Sequence, residues 1–242
     1  MANKAKGACD IVFLIDATGS MQPCIDDIKN NIKIFFRSLE NPWGADSGAP
    51  VKDWRARVIG YRDPAADGAD WYVSNPFVTD VASVEAQLDA LQAYGGGDEP
   101  EGLLDALYRV SSWDETEKGA QEIDAEKWRY KYDAARCVAI FTDAPYSETT
   151  TLPEAPGLPL EDIRKKVVAA RLRISLFAPQ MDCYDDLEDI ERLEYNGFAF
   201  DSSIPGDAVQ KLRDLTADIA NFQTTLRQLS KAFSAFSYAD VF

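Results

Sequence analysis

The sequence contains no histidine. That absence removes the Ser-His-Asp and Cys-His catalytic arrangements and the commonest zinc ligand together. No CxxC pair occurs among the four cysteines Cys9, Cys24, Cys137 and Cys183, so a thiolate zinc site is not indicated and a reducing compartment is expected. Positive charge is scarce. The 25 Lys and Arg face 41 Asp and Glu, and the net charge of -16 argues against a nucleic-acid or anionic-membrane surface. No apolar run approaches membrane-spanning length, and no apolar stretch follows the basic residues of Met1–Lys6, so the expected location is the cytoplasm. A phosphate-binding Gly-x-x-x-x-Gly-Lys-Ser/Thr loop is also missing, because Gly95-Gly96-Gly97 has no lysine after it.

Apolar runs alternating with helical periodicity are what the chain does have. Asp10–Ile15, Arg55–Arg62, Trp71–Phe77, Arg136–Thr142, Ile174–Ala178 and Phe198–Phe200 read as strands, the third antiparallel to the second across a short connection. Between them, Ile25, Ile28, Ile32, Phe35 and Leu39 recur at helical steps, as do Val81, Val84, Leu88 and Leu91. Further helices are expected over Glu101–Ser112, Leu160–Leu172 and the acidic stretch Leu187–Tyr195. Asn41–Pro50 reads as a loop. The polar stretch Trp113–Ala134 reads as a solvated insertion with a helical turn, its Trp128, Tyr130 and Tyr132 packing on the sheet or rimming a binding face. The fold class is α/β: a Rossmann-like, doubly wound, mostly parallel sheet of about six strands, one edge strand antiparallel and helices on both faces. No linker or repeat interrupts it, so one domain is expected.

Ligands of such folds bind beyond the carboxyl ends of the strands. Four polar groups fall there: Asp16-Ala17-Thr18-Gly19-Ser20, Asp63, Asp98-Glu99-Pro100-Glu101 and Thr142-Asp143. Any one of them has a plain alternative, since Ser, Thr and Asp at such turns cap the following helix, and Ser20 could do only that. Together they offer hydroxyl and carboxylate oxygens, the donors that hard divalent cations prefer.

The string Asp-Ala-Thr-Gly-Ser-Met over Asp16–Met21 resembles the opening of the metal-ion-dependent adhesion site of the von Willebrand factor A family, Asp-x-Ser/Thr-x-Ser after the first strand. The resemblance covers about residues 8–225. It implies a tail over 1–8, a von Willebrand factor A domain over 9–225 and a helical extension over 226–242, packed on the domain or on a partner. Within the family, Asp98-Glu99-Pro100-Glu101-Gly102, Leu104-Asp105-Ala106-Leu107 and Phe141-Thr142-Asp143-Ala144 are similar to the inserted domain of integrin β-subunits.

That branch implies Mg²⁺, Mn²⁺ or Ca²⁺ held by Asp16, Thr18, Ser20, Glu101 and Asp143. A gapless match to the branches with threonine in the second loop selects Asp98 in place of Glu101. The resemblance also implies a second cation near Asp63 and Asp98, with Pro100 and Glu101, although Gly96 stands where the pattern has asparagine. A third site lacks its acidic residues, since Pro23 and Cys24 follow Ser20 closely.

The implied function is a non-catalytic module that binds a partner protein through an acidic residue donated to the metal. Intracellular relatives extend this to a scaffold subunit in multi-protein assemblies, bacterial defence or stress systems included. Two alternatives compete. Asp-x-x-x-Ser with Mg²⁺ resembles aspartyl-phosphate hydrolases, but these carry a second aspartate two residues on, where this chain has Thr18. A scaffold with a purely structural metal is the other. Finally, Leu212, Leu215, Ile219, Phe222, Leu226, Leu229, Phe233 and Phe236 form an unbroken heptad seam, expected either to pack on the domain or to dock a partner or second copy. Phe233 and Phe236 are its candidates for an exposed patch.

Overall fold

The computed structural model describes residues 7–41, 49–97, 99–217 and 219–238. Its first strand, β1 (Ala8–Asp16), is buried from end to end. Side chains alternate across a strand, so Ile11, Phe13 and Ile15 enter one core while Val12 and Leu14 enter a second. The same division recurs in β4 (Ala135–Phe141): Cys137, Ala139 and Phe141 go one way, Val138 and Ile140 the other. A strand apolar on both sides needs cover on both sides. Among the described residues α1 (Gln22–Glu40) and α3 (Val81–Ala90) contribute to the first core, while α4 (Leu103–Ser111), α5 (Leu160–Ala169) and α6 (Asp182–Glu188) contribute to the second.

With β2 (Asp53–Tyr61), β3 (Tyr72–Ser74), β5 (Leu172–Pro179) and β6 (Leu193–Phe198), the sheet among the described residues has six strands in the order β3-β2-β1-β4-β5-β6. Only β3 runs antiparallel. The order reverses between β1 and β4, which makes the crevice beyond their carboxyl ends the ligand position of this topology. The α/β class, strand number and antiparallel edge are those expected from the sequence.

Three local expectations are corrected. The acidic helix expected over Leu187–Tyr195 is instead α6 followed by β6. Arg192 at φ 73° turns the chain, and Leu193–Phe198 pairs with β5, where its alternate side chains hide the strand pattern beneath helix-like spacing.

The stretch Trp113–Ala134 contains no helix and is not merely solvated. Trp128 is fully buried, donates from its indole nitrogen to the Val110 carbonyl at 2.9 Å, and packs on Phe77 and Trp113. Beside it, Arg129 reaches the buried Asp10 at the start of β1: its backbone N–H donates to Oδ2 at 2.7 Å and its Nε to Oδ1 at 2.6 Å. Arg55 holds the same carboxylate from β2, at 3.0 and 2.7 Å. This ion-pair network lies at the end of β1 opposite Asp16.

The heptad seam is divided between α7 (Asp207–Ala217) and α8 (Ile219–Tyr238). Phe233, one of the two candidates for an exposed patch, is instead fully buried, with its ring edge-on to Phe35 of α1 at 5.9 Å, as the alternative of packing on the domain requires. Leu212 and Leu229 are buried in the same core. The side chains of Ile219, Phe222, Leu226 and Phe236 lie outside the described residues, as do 1–6 of the expected tail and 42–48 of the expected loop. No helix among the described residues is long and apolar enough to cross a membrane.

Candidate metal centre

β1 ends in Asp16, whose side chain has no solvent exposure. Its Oδ1 accepts the Thr18 backbone N–H at 2.9 Å and the Thr18 hydroxyl at 2.7 Å, and its Oδ2 accepts the Thr142 hydroxyl at 2.8 Å. The carboxylate thus ties the loop after β1 to the end of the neighbouring β4. The Thr18 and Ser20 hydroxyl oxygens stand 3.5 Å apart. Capping does not account for them: the 3₁₀ turn Gly19–Met21 and α1 both begin without a side-chain cap. Ser20 is exposed at the mouth, and its hydroxyl faces the Asp143 carboxylate.

Glu101 arrives from the other side. Its backbone is fixed to the segment after β4, its N–H donating to the Pro145 carbonyl at 2.8 Å and its carbonyl accepting from Ser147 N–H at 3.0 Å. Gly96 brings the side chain up against Thr18. A Cβ at Gly96 would meet Thr18 Cγ2 at 2.6 Å and Glu101 Oε1 at 2.8 Å, and its φ of +92° is one that side chains rarely adopt. Asp105, in the first turn of α4, is occupied elsewhere, accepting the backbone N–H groups of Thr151 and Leu152.

The electrostatics are those of carboxylates crowded into a dry site. Burial, with repulsion from Asp143, pushes Asp16 up to about 7. Burial and then Asp16, Asp63, Asp143 and Asp67 push Glu101 up to about 9. Burial also raises Asp143, against the hydrogen bond from Ser20. Two oxygens here, Glu101 Oε2 and Asp143 Oδ1, are buried without a hydrogen-bond partner. Buried carboxylate oxygens are rarely left so, and a hard cation is one partner that satisfies them while lowering the repulsion. Among the described residues no three carboxylate or thiol groups close up tightly enough to hold an ion on their own. The Thr18 and Ser20 hydroxyls enlarge the donor set.

The structure therefore brings Asp16, Thr18, Ser20, Glu101 and Asp143 to one crevice. Asp63 lies at its margin, where its carboxylate caps α2 (Pro64–Asp67) by accepting Ala65 N–H at 2.8 Å. Asp98 lies outside the described residues. Two contributors were not singled out from sequence. Asp67 accepts the Gly96 N–H at 3.0 Å, steadying the glycine loop. Arg62, buried just past β2, donates from Nε to the Ala17 carbonyl at 3.0 Å. Asp67 lies 29 residues from its contact in the sequence and carries no local signal. Arg62 had one, an arginine continuing the run Val58-Ile59-Gly60-Tyr61.

Solved proteins share this architecture. Proximal thread matrix protein 1 from the mussel byssus superimposes with a TM-score of 0.53 at 13% identity, over 91% of this chain and 50% of that one. The same protein with a zinc-occupied metal-ion-dependent adhesion motif gives 0.51 at 13% identity, over 91% and 46%. The pilus adhesin SpaC of Lactobacillus rhamnosus GG gives 0.51 at 16% identity, over 93% and 31%. The chain spans half or less of the length of these proteins, and at such identities the likeness is one of fold. That fold is von Willebrand factor A-like. No protein-family model matches the sequence, and no curated protein matches it.

Proposed function

We propose that the chain is a non-catalytic module that binds a partner protein through a divalent cation, Mg²⁺ being the first candidate and Mn²⁺ or Ca²⁺ the others. Asp16, Thr18, Ser20, Glu101 and Asp143 would hold the ion, with Glu101 in the acidic position that the integrin β-subunit pattern gives it. The observation that carries this is the pair of buried, unpartnered oxygens Glu101 Oε2 and Asp143 Oδ1, beside two hydroxyls that cap no helix. When bound, the ion supplies a fixed positive charge at the mouth, to which a partner's Asp or Glu side chain binds.

The protein's own residues do the rest. Thr142 and the Thr18 backbone orient Asp16. The Pro145 and Ser147 contacts hold Glu101. Ser20 stands exposed at the opening. A second cation near Asp63 remains part of this proposal, as does an intracellular setting within a multi-protein assembly. The adhesin and matrix proteins of like fold favour binding over catalysis. Calorimetric titration of Mg²⁺ into the wild-type chain and into Asp16→Ala tests the proposal. Binding to the first and none to the folded second is expected, and equal affinity would overturn the assignment. Partner capture should then require Mg²⁺ and be abolished by EDTA.

A further inference from the structure

Beside this centre stands Tyr94, a large aromatic side chain that remains 46% exposed. Its backbone N–H donates to the Ala17 carbonyl at 3.0 Å, which fastens it to the loop that carries Thr18. Two residues further on is Gly96, packed on Thr18 and Glu101. The ring lies over Arg62, whose Nε donates to the same Ala17 carbonyl, so it stands beside the loop that carries Thr18.

Under the ring is a second feature. The Arg62 guanidinium carbon lies 3.8 Å from the ring centroid, and Arg62 is 1% exposed. Its donors are committed to carbonyls of three separate segments: Nε to Ala17 at 3.0 Å, Nη1 to Asp70 at 2.6 Å and Nη2 to Gln92 at 2.7 Å. Arg62 is therefore a fixed floor, and Tyr94 lies over it with nearly half of its surface open. An aromatic side chain braced before any encounter offers contact area at little further entropy cost. Tyrosine is also among the residues that most often carry binding energy.

We propose that Tyr94 is the second anchor of the partner-binding face. The partner segment that gives its carboxylate to the metal centre lays a large apolar, aromatic or proline side chain on Tyr94, within about three residues of the acidic one on an extended chain. This rests on the metal-dependent reading of the site. The chemistry of the second contact follows from the surroundings. The exposed surface of the ring is aromatic carbon, which an apolar side chain covers without desolvating a charge, and an acidic side chain there would meet the Asp67 carboxylate beside Gly95 and Gly96.

The test is selection from displayed peptides carrying one fixed Asp with randomised flanks, bound to the full chain in Mg²⁺ and eluted with EDTA. Peptides eluted from the wild type and from Tyr94→Phe should be enriched in apolar, aromatic or proline residues within three positions of the Asp. Selected peptides should bind Tyr94→Ala about tenfold more weakly, as expected for loss of one anchor. That variant should stay folded and keep the wild-type Mg²⁺ affinity, its unfolding midpoint lowered only by the lost packing on Arg62. EDTA-eluted peptides without this flanking preference, or equal binding to Tyr94→Ala, would overturn the role of Tyr94 and leave the metal-dependent reading intact. If EDTA elutes no peptide from the wild type, the metal-dependent reading fails and the Tyr94 proposal falls with it.

Discussion

Glu101→Gln separates the cost of the crowded carboxylates from their use. Without a cation, the folded state holds Glu101 at about 9 against 4.5 for an ordinary glutamate. A folded-state value raised in this way contributes stability that is complete below pH 4.5 and lost as the pH rises through about 9. At pH 7.5 the loss spans three pH units, or about 4 kcal/mol at about 1.4 kcal/mol per unit. Glutamine has the same shape and no charge to desolvate, but its amide lacks ready partners here, which costs about 1–2 kcal/mol.

In EDTA at pH 7.5, Glu101→Gln should therefore be more stable than wild type by about 2–3 kcal/mol, raising Tm by about 5–10 °C in a chain of this size. Near pH 4.5 the gain should vanish, leaving only the amide's cost. At about a thousandfold excess of Mg²⁺ over Kd the order should reverse, because the wild type gains about 4.1 kcal/mol and the variant does not. Thermal unfolding across pH, with and without Mg²⁺, measures all three. A variant less stable than wild type in EDTA at pH 7.5, or a difference that does not change with pH, would refute the reasoning.

Gly96→Ala should cost about 2–4 kcal/mol, combining a positive φ with contacts under 3 Å to Thr18 and Glu101. Gly119→Ala, with φ +70° and nothing within 4 Å, should cost only the backbone share, and equal losses by denaturant unfolding would contradict the clash. Asp10→Ala leaves Arg55 without its carboxylate partner and Arg129 with only the exposed Asp53, and should cost about 3–5 kcal/mol. Its Mg²⁺ affinity by calorimetry should stay at the wild-type value, since Asp10 and Asp16 are about 20 Å apart along β1. Phe233→Ala should cost about 3–5 kcal/mol because its ring is buried against Phe35, and a loss under about 0.5 kcal/mol by denaturant unfolding would contradict that packing.

Much of the architecture was legible because it is local. The apolar run Ile11–Ile15 and the stepped residues of α1 declare their periods within a few turns of chain. Where two periods overlap, as from Leu187 to Tyr195, spacing alone chose the helix and the pairing with β5 decided for a strand. The long polar stretch before β4 was unreadable for a different reason. What orders it is the contact of Arg129 with Asp10, 119 residues away.

The candidate site follows the same rule. Asp16, Thr18 and Ser20 are one turn and read as one motif, and Asp143 follows a strand end. Asp67 matters through Gly96, a contact made only by the fold. The heptad seam left Phe233 open between packing on the domain and docking a partner, because such a seam records which residues share a face and not what covers it. Phe35 of the chain's own α1 covers it.

The central claim is that one divalent cation binds between the loop after β1, Glu101 and Asp143. Anomalous diffraction from a crystal of the full chain soaked in Mn²⁺ tests it most directly. The prediction is a peak within bonding distance, about 2.0–2.3 Å, of oxygens from the set Asp16, Thr18, Ser20, Glu101 and Asp143, absent from crystals of Asp16→Ala. A Mn²⁺-soaked crystal with no peak in this crevice, or with its strongest peak elsewhere on the acidic surface, would contradict it.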